Sequence, residues 1–537
     1  MDKISRRNLA WHIFSFLLVA CLLLTSASAR ERSAPALFTY AELNALYEQA
    51  AISPPVEAKL NKLLTTPFVD NAYRNAMPLP FSQSGQLGEF LRVAHWNIER
   101  GLEYKAIEAV FGGEAEFIEL LNANLKEFPV GSEKRHRALE QAAMLRVADV
   151  IILNEADLGM KRSQYRNVAA DLAARLKMNY AFGVQFIELS PVHLSQKKET
   201  RETADAQEKE LAELIKVDPT RYKGLHGIAI LSRFPLENVR LVPFKNQPYD
   251  WYQSEKDGAS LLEKSKRKLA DRVFLEKTLR EVRRGGRTTL LADIADDRFP
   301  NGRVTIAATH LENRTESKNR VLQLKELLAA IKDIPHPVII AGDMNTTSSD
   351  LTPTSLQREL YKRFGKPQFW IRKGISYALG FGLIEDTVVD GFLFWRKQFD
   401  PTVRHIPFLM PNSERKFFST LEAFRFSDGG AFDLRGDANR SYRNKEKTLA
   451  NSNERGDKGF TSTFQVPRPI KFIGKHKLDW FFIKPFELKN PKDKKGSYRF
   501  APHFGRTFAA VNESIPDRIS DHHPMIVDLP LNDLPLD

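Results

Sequence analysis

Eight polar residues in this chain stand at the ends of short apolar runs, and their types fit together as chemistry. Asn97 ends Val93-Ala94-His95-Trp96-Asn97, and Glu155 follows Ile151-Ile152-Leu153-Asn154. His310 follows Ala307-Ala308-Thr309, and Asp343 and Asn345 follow Ile339-Ile340-Ala341-Gly342. Asp479 lies in Lys477-Leu478-Asp479-Trp480. Asp521 and His522 lie in Ser520-Asp521-His522-His523-Pro524, just before a further apolar run. The acidic oxygens of Glu155 and Asp521 suit a hard cation such as Mg²⁺ or Mn²⁺. His522 with a distant Asp479 suits a proton-handling pair. Asp343 with Asn345 can orient a water and donate to a phosphate oxygen, and His310 can donate to developing charge. Taken alone, each has a plainer explanation, since an Asp after a strand is usually a turn former or helix cap. It is the complete set that points to a site.

The apolar runs themselves predict the scaffold. Val93 to Ile98, Val150 to Leu153, Ile228 to Leu231, Val304 to Ala308, Val338 to Ala341, Trp480 to Ile483 and Met525 to Val527 read as buried strands. Helical spacing falls between some of them, at Val168 to Leu176 and Val321 to Ile331. The texture is α/β and layered. Polar groups at strand ends are how such proteins build sites on rigid scaffolding.

Upstream, residues 30–90 read as a helical preface. Thr39 with Glu42 makes a capping box ahead of Leu43, Leu46 and Tyr47; Pro54 and Pro55 then open a second helix with Val56, Leu60 and Leu63. Residues 1–29 read as an export signal. Lys3, Arg6 and Arg7 precede an apolar run from Trp11 to Leu24, and Ala27-Ser28-Ala29 fits a cleavage site before Arg30. Leu18-Val19-Ala20-Cys21 also matches a lipoprotein box, in which Cys21 would carry the lipid. The expected location is therefore exported: periplasmic, secreted or lipid-anchored at Cys21.

Composition sets outer limits. The chain has 537 residues, 42% hydrophobic and 27% charged, which excludes a wholly disordered chain. Its single cysteine excludes an intramolecular disulfide and a Cys-rich metal site. A net charge of +13 favours anionic partners without choosing among them. Three stretches interrupt the strand–helix texture, at about 195–222, 245–287 and 397–460, and read as surface excursions from one core. The second ends in a basic run from Lys264 to Arg287, which is either an anion-binding stripe or a solvated helix face.

Seven short segments then carry a family resemblance. They are Trp96-Asn97-Ile98, Asn154-Glu155, Gly227-Ile228-Ala229-Ile230-Leu231-Ser232, Thr309-His310-Leu311, Gly342-Asp343-Met344-Asn345, Leu478-Asp479-Trp480 and Ser520-Asp521-His522-His523-Pro524. In this order the chain resembles the endonuclease/exonuclease/phosphatase superfamily of deoxyribonuclease-like metal-dependent phosphoesterases, over residues 91–530. The resemblance implies a four-layered sandwich: two packed mixed β-sheets flanked by helices, here with long insertions. It implies that Glu155 binds the divalent metal, Mg²⁺ or Mn²⁺, with Asn97 and Asp521 close by. His522, oriented by Asp479, would be general base or charge stabiliser; Asp343 would position or deprotonate the attacking water. The choice of base between them stays open. Asn345 and His310 would hold the scissile phosphate.

The chain also departs from the pattern. Ile228 stands where an Asn is often found; His226 just upstream is a candidate substrate-binding replacement, with a structural role as the alternative. Asp157 either approaches the metal or pairs with Arg162, and the salt pair is the preferred reading. His523 is expected to be structural or to brace the residues of the site from behind.

The expected function is an exported divalent-metal-dependent phosphodiesterase, nuclease-type, acting on a phosphate ester such as nucleic acid. The alternatives are a phospholipid or sphingolipid phosphodiesterase, a phosphomonoesterase, and a silent binding module that keeps the fold. The last would be signalled by loss of Glu155, Asp343, Asp479 or His522, all of which are present. Phe392, Phe394 and Trp395 are candidate aromatics for bases or lipids beside the site, although aromatics at such spacing are more often core. No obligate protein partner is evident, and a monomer is expected.

Overall fold

Alternation with period two runs through the predicted strands, and each alternate row packs on a different layer. The computed structural model describes residues 32–49, 52–74, 80–189, 217–256, 282–346, 414–441, 460–470, 473–516 and 518–533. The export signal with Cys21, most of the basic run, and Phe392, Phe394 and Trp395 lie outside the described residues.

In chain order the first strands are β1 (Arg32–Ser33), β2 (Phe68–Asp70), β3 (Ser82–Ser84), β4 (Gly88–Asn97), β5 (Val150–Leu158), β6 (Asn179–Glu188), β7 (Leu225–Ser232), β8 (Glu237–Pro243) and β9 (Arg283–Gly285). They are followed by β10 (Thr288–Ala295), β11 (Arg303–His310), β12 (Val338–Asp343), β13 (Phe464–Ile470), β14 (Ile473–His476), β15 (Asp479–Lys484), β16 (His503–Thr507) and β17 (Met525–Pro530). A large sheet has the order β1-β2-β6-β7-β5-β4-β17-β16, with β3 also on β4 and β9 also on β6. A small sheet has the order β15-β12-β11-β10-β8, and β13 pairs with β14. Both main sheets are mixed: β4–β5 and β11–β12 are parallel, and the other pairs are antiparallel.

The two sheets meet face to face. Leu91, Val93, Val150, Ile152, Ile228 and Ile230 of the large sheet pack against Leu290, Ile306, Ala308, Ile339, Ala341 and Phe481 of the small one. The intervening residues Ala94, Trp96, Ile151 and Leu153 face the other way, onto helices Tyr104–Gly112, Glu133–Arg146 and Val168–Leu176. Behind the small sheet, Ile340, Trp480 and Phe482 meet helices Ser317–Ile331 and Arg415–Ala423. Helix, sheet, sheet, helix: this is the expected four-layered α/β sandwich, with burial of both faces of each sheet driving its assembly.

Two details differ from the sequence reading. The preface is not purely helical. Thr39 and Glu42 do cap helix Tyr40–Glu48 reciprocally, but β1, β2 and β3 also join the large sheet. Residues 414–441, read as part of a surface excursion, instead complete the fourth layer: Phe417, Phe418, Leu421, Phe426 and Phe432 are buried there. Their phenylalanines supply the apolar area that the surrounding polar residues mask in a composition-based reading.

Candidate active site

The site is built by extending the inner rows of the sandwich one step beyond their last apolar residue. On β4 the row Leu91, Val93 continues to His95 and Asn97. On β5, Val150 and Ile152 continue to Asn154. On β11, Val304, Ile306 and Ala308 lead to His310; on β12, Ile339 and Ala341 lead to Asp343. On β15 and β7 the rows run the other way along the chain, so Asp479 precedes Phe481 and His226 precedes Ile228. Because β4, β5, β11 and β12 end where β15 and β7 begin, all these side chains converge at one end of the inter-sheet space.

Glu155 breaks the row. The β5–β7 register shifts between Leu153 and Ala156, and Glu155 takes φ 56°, the left-handed region that non-glycine residues avoid. This bulge re-aims the side chain into the site, where it remains 21% exposed. Its Oε1 accepts from Asn97 Nδ2 at 3.3 Å, and the same nitrogen lies 3.5 Å from Asp343 Oδ2. One neutral amide thus serves two carboxylates, one from each sheet. Arg100 Nε stands 3.7 Å from Glu155 Oε2. Burial pushes the Glu155 carboxyl up, but Arg100 first, with the His522 imidazolium, pulls harder and holds it below the usual range. The carboxylate oxygens of Glu155 and Asp343 are of the kind a hard cation takes, while Asn97 turns Nδ2 to them and its Oδ1 accepts the Glu99 N–H at 3.1 Å.

Asp343, Asp479 and His522 also offer ligand atoms within 4.8 Å of one another. Both oxygens of Asp479 are already engaged, however. Oδ2 accepts from His522 Nδ1 at 2.6 Å and Oδ1 from His95 Nε2 at 2.9 Å. That cluster is built for holding a proton, and the Glu155–Asn97–Asp343 corner fits a cation better. His522 Nε2 points the other way, 3.7 Å from Asp343 Oδ2. Burial opposes a charged ring, yet Asp479, Asp521 and Asp343 hold the His522 imidazolium well above its ordinary range. Asp479 is correspondingly held far below the carboxylate range, against its burial, by His522 and His95. His95 was not expected at the site. Its inner-row position was visible in the sequence, but its partner lies 384 residues away.

Burial pushes Asp343 up to about 6, with His522 pulling down and Asp479 pushing up. Its backbone N–H donates to Asn154 Oδ1 at 2.7 Å, and its Oδ1 accepts from Asn345 N–H at 2.8 Å. Gly342 before it is required: a Cβ there would run into the Thr309 carbonyl oxygen. His310 Nε2 lies 3.5 Å from Asp343 Oδ2, and burial together with Arg287 keeps the ring neutral. Asn345, at φ 48°, gives one amide N–H to Leu311 O at 3.0 Å, which anchors it beside Asp343. Asp521 is tied to the same end: its N–H donates to Glu99 Oε2 at 2.9 Å, and Ser520 Oγ donates to Asn97 O at 2.7 Å.

His226 belongs to a buried ion cluster. Its Nδ1 lies 2.9 Å from Asp157 Oδ1, Arg162 forks onto Asp157 at 2.6 and 3.0 Å, and Arg162 also forks onto Glu188 at 2.9 Å. Asp157 therefore makes the preferred salt pair, and His226, lowered to about 3 by burial and then by Arg283, is a neutral ring braced by it. Arg283 pairs with Glu188 and Arg287 with Glu312, both buried. Within the described end of the basic run, Arg283 and Arg287 are thus internal, whereas Arg284 is half-buried and donates to Leu46 O and Gln49 O. His523 is structural as expected, donating its N–H to Thr463 O at 2.6 Å and accepting from Asn512 Nδ2 at 3.0 Å.

No curated protein matches the chain. Solved structures that match include an endonuclease/exonuclease/phosphatase from Beutenbergia cavernae, 16% identical, covering 83% of this chain and 73% of that one at a TM-score of 0.35. The human Nocturnin catalytic domain with bound sulfate anion is 13% identical, covering 82% and 92% at 0.30. An AP endonuclease from Archaeoglobus fulgidus is 11% identical, covering 82% and 99% at 0.34. The family model described as Endonuclease/Exonuclease/phosphatase family matches residues 94–408, more than half the chain, and includes Asn97, Glu155, His310, Asp343 and Asn345. The chain belongs to the endonuclease/exonuclease/phosphatase family of phosphoesterases.

Proposed function

We propose that this protein is an exported, divalent-metal-dependent phosphodiesterase of nuclease type. The observation that carries the reading is the placement of His522 Nε2 and Asp343 Oδ2 3.7 Å apart, each braced from behind by its own hydrogen-bond partners. A phosphodiester is anionic, so attack by water requires the nucleophile aimed and the added charge neutralised.

Glu155 and Asn97 would hold the cation, Mg²⁺ or Mn²⁺, with Asp521 beside them. When bound, it supplies charge neutralisation at the phosphate and acidifies coordinated water. The protein's own residues supply the rest. Asp343, fixed by Asn154 and Asn345, orients the attacking water and takes its proton. His522 enters as an imidazolium, because Asp479 secures Nδ1–H and Nε2–H faces a carboxylate; it donates to a phosphate oxygen as charge builds. His310, neutral and adjacent to Asp343, donates a second hydrogen bond, and Asn345 stands ready at the same corner. This reading assigns the base to Asp343 and charge stabilisation to His522.

The net charge of +13 supports an anionic polymer as substrate. Burial of Arg283 and Arg287 in ion pairs removes two cations from the basic run and favours, as second reading, a lipid or small-molecule diester. Export rests on the pattern of residues 1–29; among the described residues no helix is long and apolar enough to cross a membrane.

The deciding experiment is plasmid nicking by the purified chain with Mg²⁺ or Mn²⁺, with chelator, and with His522→Ala. Metal-dependent nicking lost in the variant is the expected result. Turnover of bis(p-nitrophenyl) phosphate without nicking transfers the reading to lipid or small diesters. Silence on both overturns it.

A further inference from the structure

The family resemblance assigns no role to His95, and its surroundings are unusual for a histidine. Its backbone lies within the large sheet, opposite Met525 on one side and Ile152 on the other. Its ring takes the inner face after Leu91 and Val93 and stands edge-on to Phe481 of the small sheet, centroids 6.4 Å apart. It is fully buried. A polar ring is stable in such a place only if its N–H is paired. Nε2 lies 2.9 Å from Asp479 Oδ1, whereas Nδ1 has no hydrogen-bond partner among the described residues. A ring with one paired nitrogen carries its proton there, so His95 donates Nε2–H to Asp479.

Asp479 therefore has an imidazole on each oxygen. Its own backbone N–H and that of Leu478 go to Thr463 Oγ1 and leave the carboxylate without them. The terminal torsion of an aspartate is broad, so a carboxylate held through one oxygen can swing. With Oδ1 pinned by His95, Oδ2 is fixed 2.6 Å from His522 Nδ1. The bond also joins the two sheets, since His95 is on β4 and Asp479 on β15.

We propose that His95 is a positioning residue: by donating Nε2–H to Asp479 Oδ1 across the sandwich, it fixes the carboxylate plane and thereby the direction of His522 Nε2. This inference rests on the phosphoesterase reading for its kinetic consequence, but its geometric content stands apart.

Three substitutions separate positioning from packing. His95→Gln keeps a donor at the reach of Nε2. His95→Asn is polar but too short to reach, and His95→Phe fills the space without a donor. With bis(p-nitrophenyl) phosphate, the Asn and Phe variants should lose kcat by roughly 10- to 100-fold, as second-layer partners typically do. KM should stay within about twofold, because binding is not what is removed. His95→Gln should recover most of kcat. In parallel, the downfield imidazole N–H proton of His522 should move in the Asn and Phe variants and hold its place in the Gln variant. If Phe does not fold, the Gln–Asn pair still decides. Unchanged kcat and an unchanged resonance in the Asn variant would overturn the proposal, as would equal losses in Gln and Asn. If the wild-type chain hydrolyses no phosphate ester, the functional reading fails, and the resonance alone decides whether His95 aims His522.

Discussion

Asn154 reaches across the sandwich and holds Asp343 by its backbone: Asn154 Oδ1 accepts the Asp343 N–H at 2.7 Å. The two residues end parallel inner rows on different sheets, so this one bond sets the height of Asp343 relative to Glu155 next to Asn154 in the chain. Truncation to Ala leaves a buried N–H without an acceptor, which costs roughly 1–3 kcal/mol. Urea melts of Asn154→Ala should show that loss as a lower midpoint at unchanged slope. Activity should fall further than stability alone explains, by roughly 10- to 100-fold, because misplacement of a reacting group by about 1 Å is enough for that.

Glu155 gives the metal prediction. It is the more exposed carboxylate of the Glu155–Asn97–Asp343 corner, with the Asn97 amide at 3.3 Å and the Arg100 guanidinium at 3.7 Å beside it. A ligand that binds the folded state alone raises stability by about 2.7 kcal/mol at one hundred times its dissociation constant. Mg²⁺ or Mn²⁺ should therefore raise the melting temperature of the wild-type chain, and chelator should reverse it. Glu155→Gln removes the negative oxygen at constant shape. Its melting temperature should be nearly indifferent to the metal while its metal-free value stays close to wild type. A metal-dependent shift that survives in the variant would place the cation elsewhere.

Much of this site could be read from sequence because its logic is local. His310 and Asp343 each sit two residues past an inner apolar residue and Asn97 sits four past Val93, and that rhythm survives in the chain as written. The strands and the capping box at Thr39 were readable for the same reason. What could not be read depends on distant partners. His95 looks like any other inner-row residue until Asp479 is placed beside it. Glu155 needs a bulge whose strain only tertiary packing can hold. Arg283 and Arg287 read as surface cations because their partners, Glu188 and Glu312, come from other strands and loops. Residues 414–441 read as surface because their phenylalanines are scattered without a single period, yet they meet one sheet face.

The pH dependence of turnover should show one acid limb set by Asp343. Burial first, and the nearby negative charge of Asp479, push it up to about 6, so at lower pH the protonated carboxyl cannot take a proton from water. The rate should rise tenfold per pH unit up to a bend at or below pH 6, since a bound cation can only shift the bend downward, and then level off. His522 titrates well above this window and contributes no acid limb. In Asp343→Asn the rate should drop and the limb should vanish. A limb that persists in that variant assigns it to another group and returns the role of base to His522.

Far from the site, Asp149 makes a stability prediction with a definite sign. It precedes β5, is 2% exposed, and its Oδ2 accepts the Arg92 N–H at 2.8 Å, fastening β5 to β4. Burial raises its carboxyl to about 6, against the pull of the Arg92 N–H and the Arg233 charge. Raised above its unfolded value of 3.8, the group favours folding while protonated in the native state. Its contribution is complete below about pH 4 and is lost as pH rises through about 6. One pKa unit corresponds to about 1.4 kcal/mol, so the loss is on the order of 3 kcal/mol. Asp149→Asn keeps an oxygen for the Arg92 N–H and removes the ionisation. The difference in unfolding free energy, variant minus wild type, should therefore be near its lowest at pH 4, climb between pH 4 and pH 6, and plateau above. Subtracting the two chains cancels every other titrating group, so a flat difference across that window would show that Asp149 ionises in the fold as easily as in the unfolded chain.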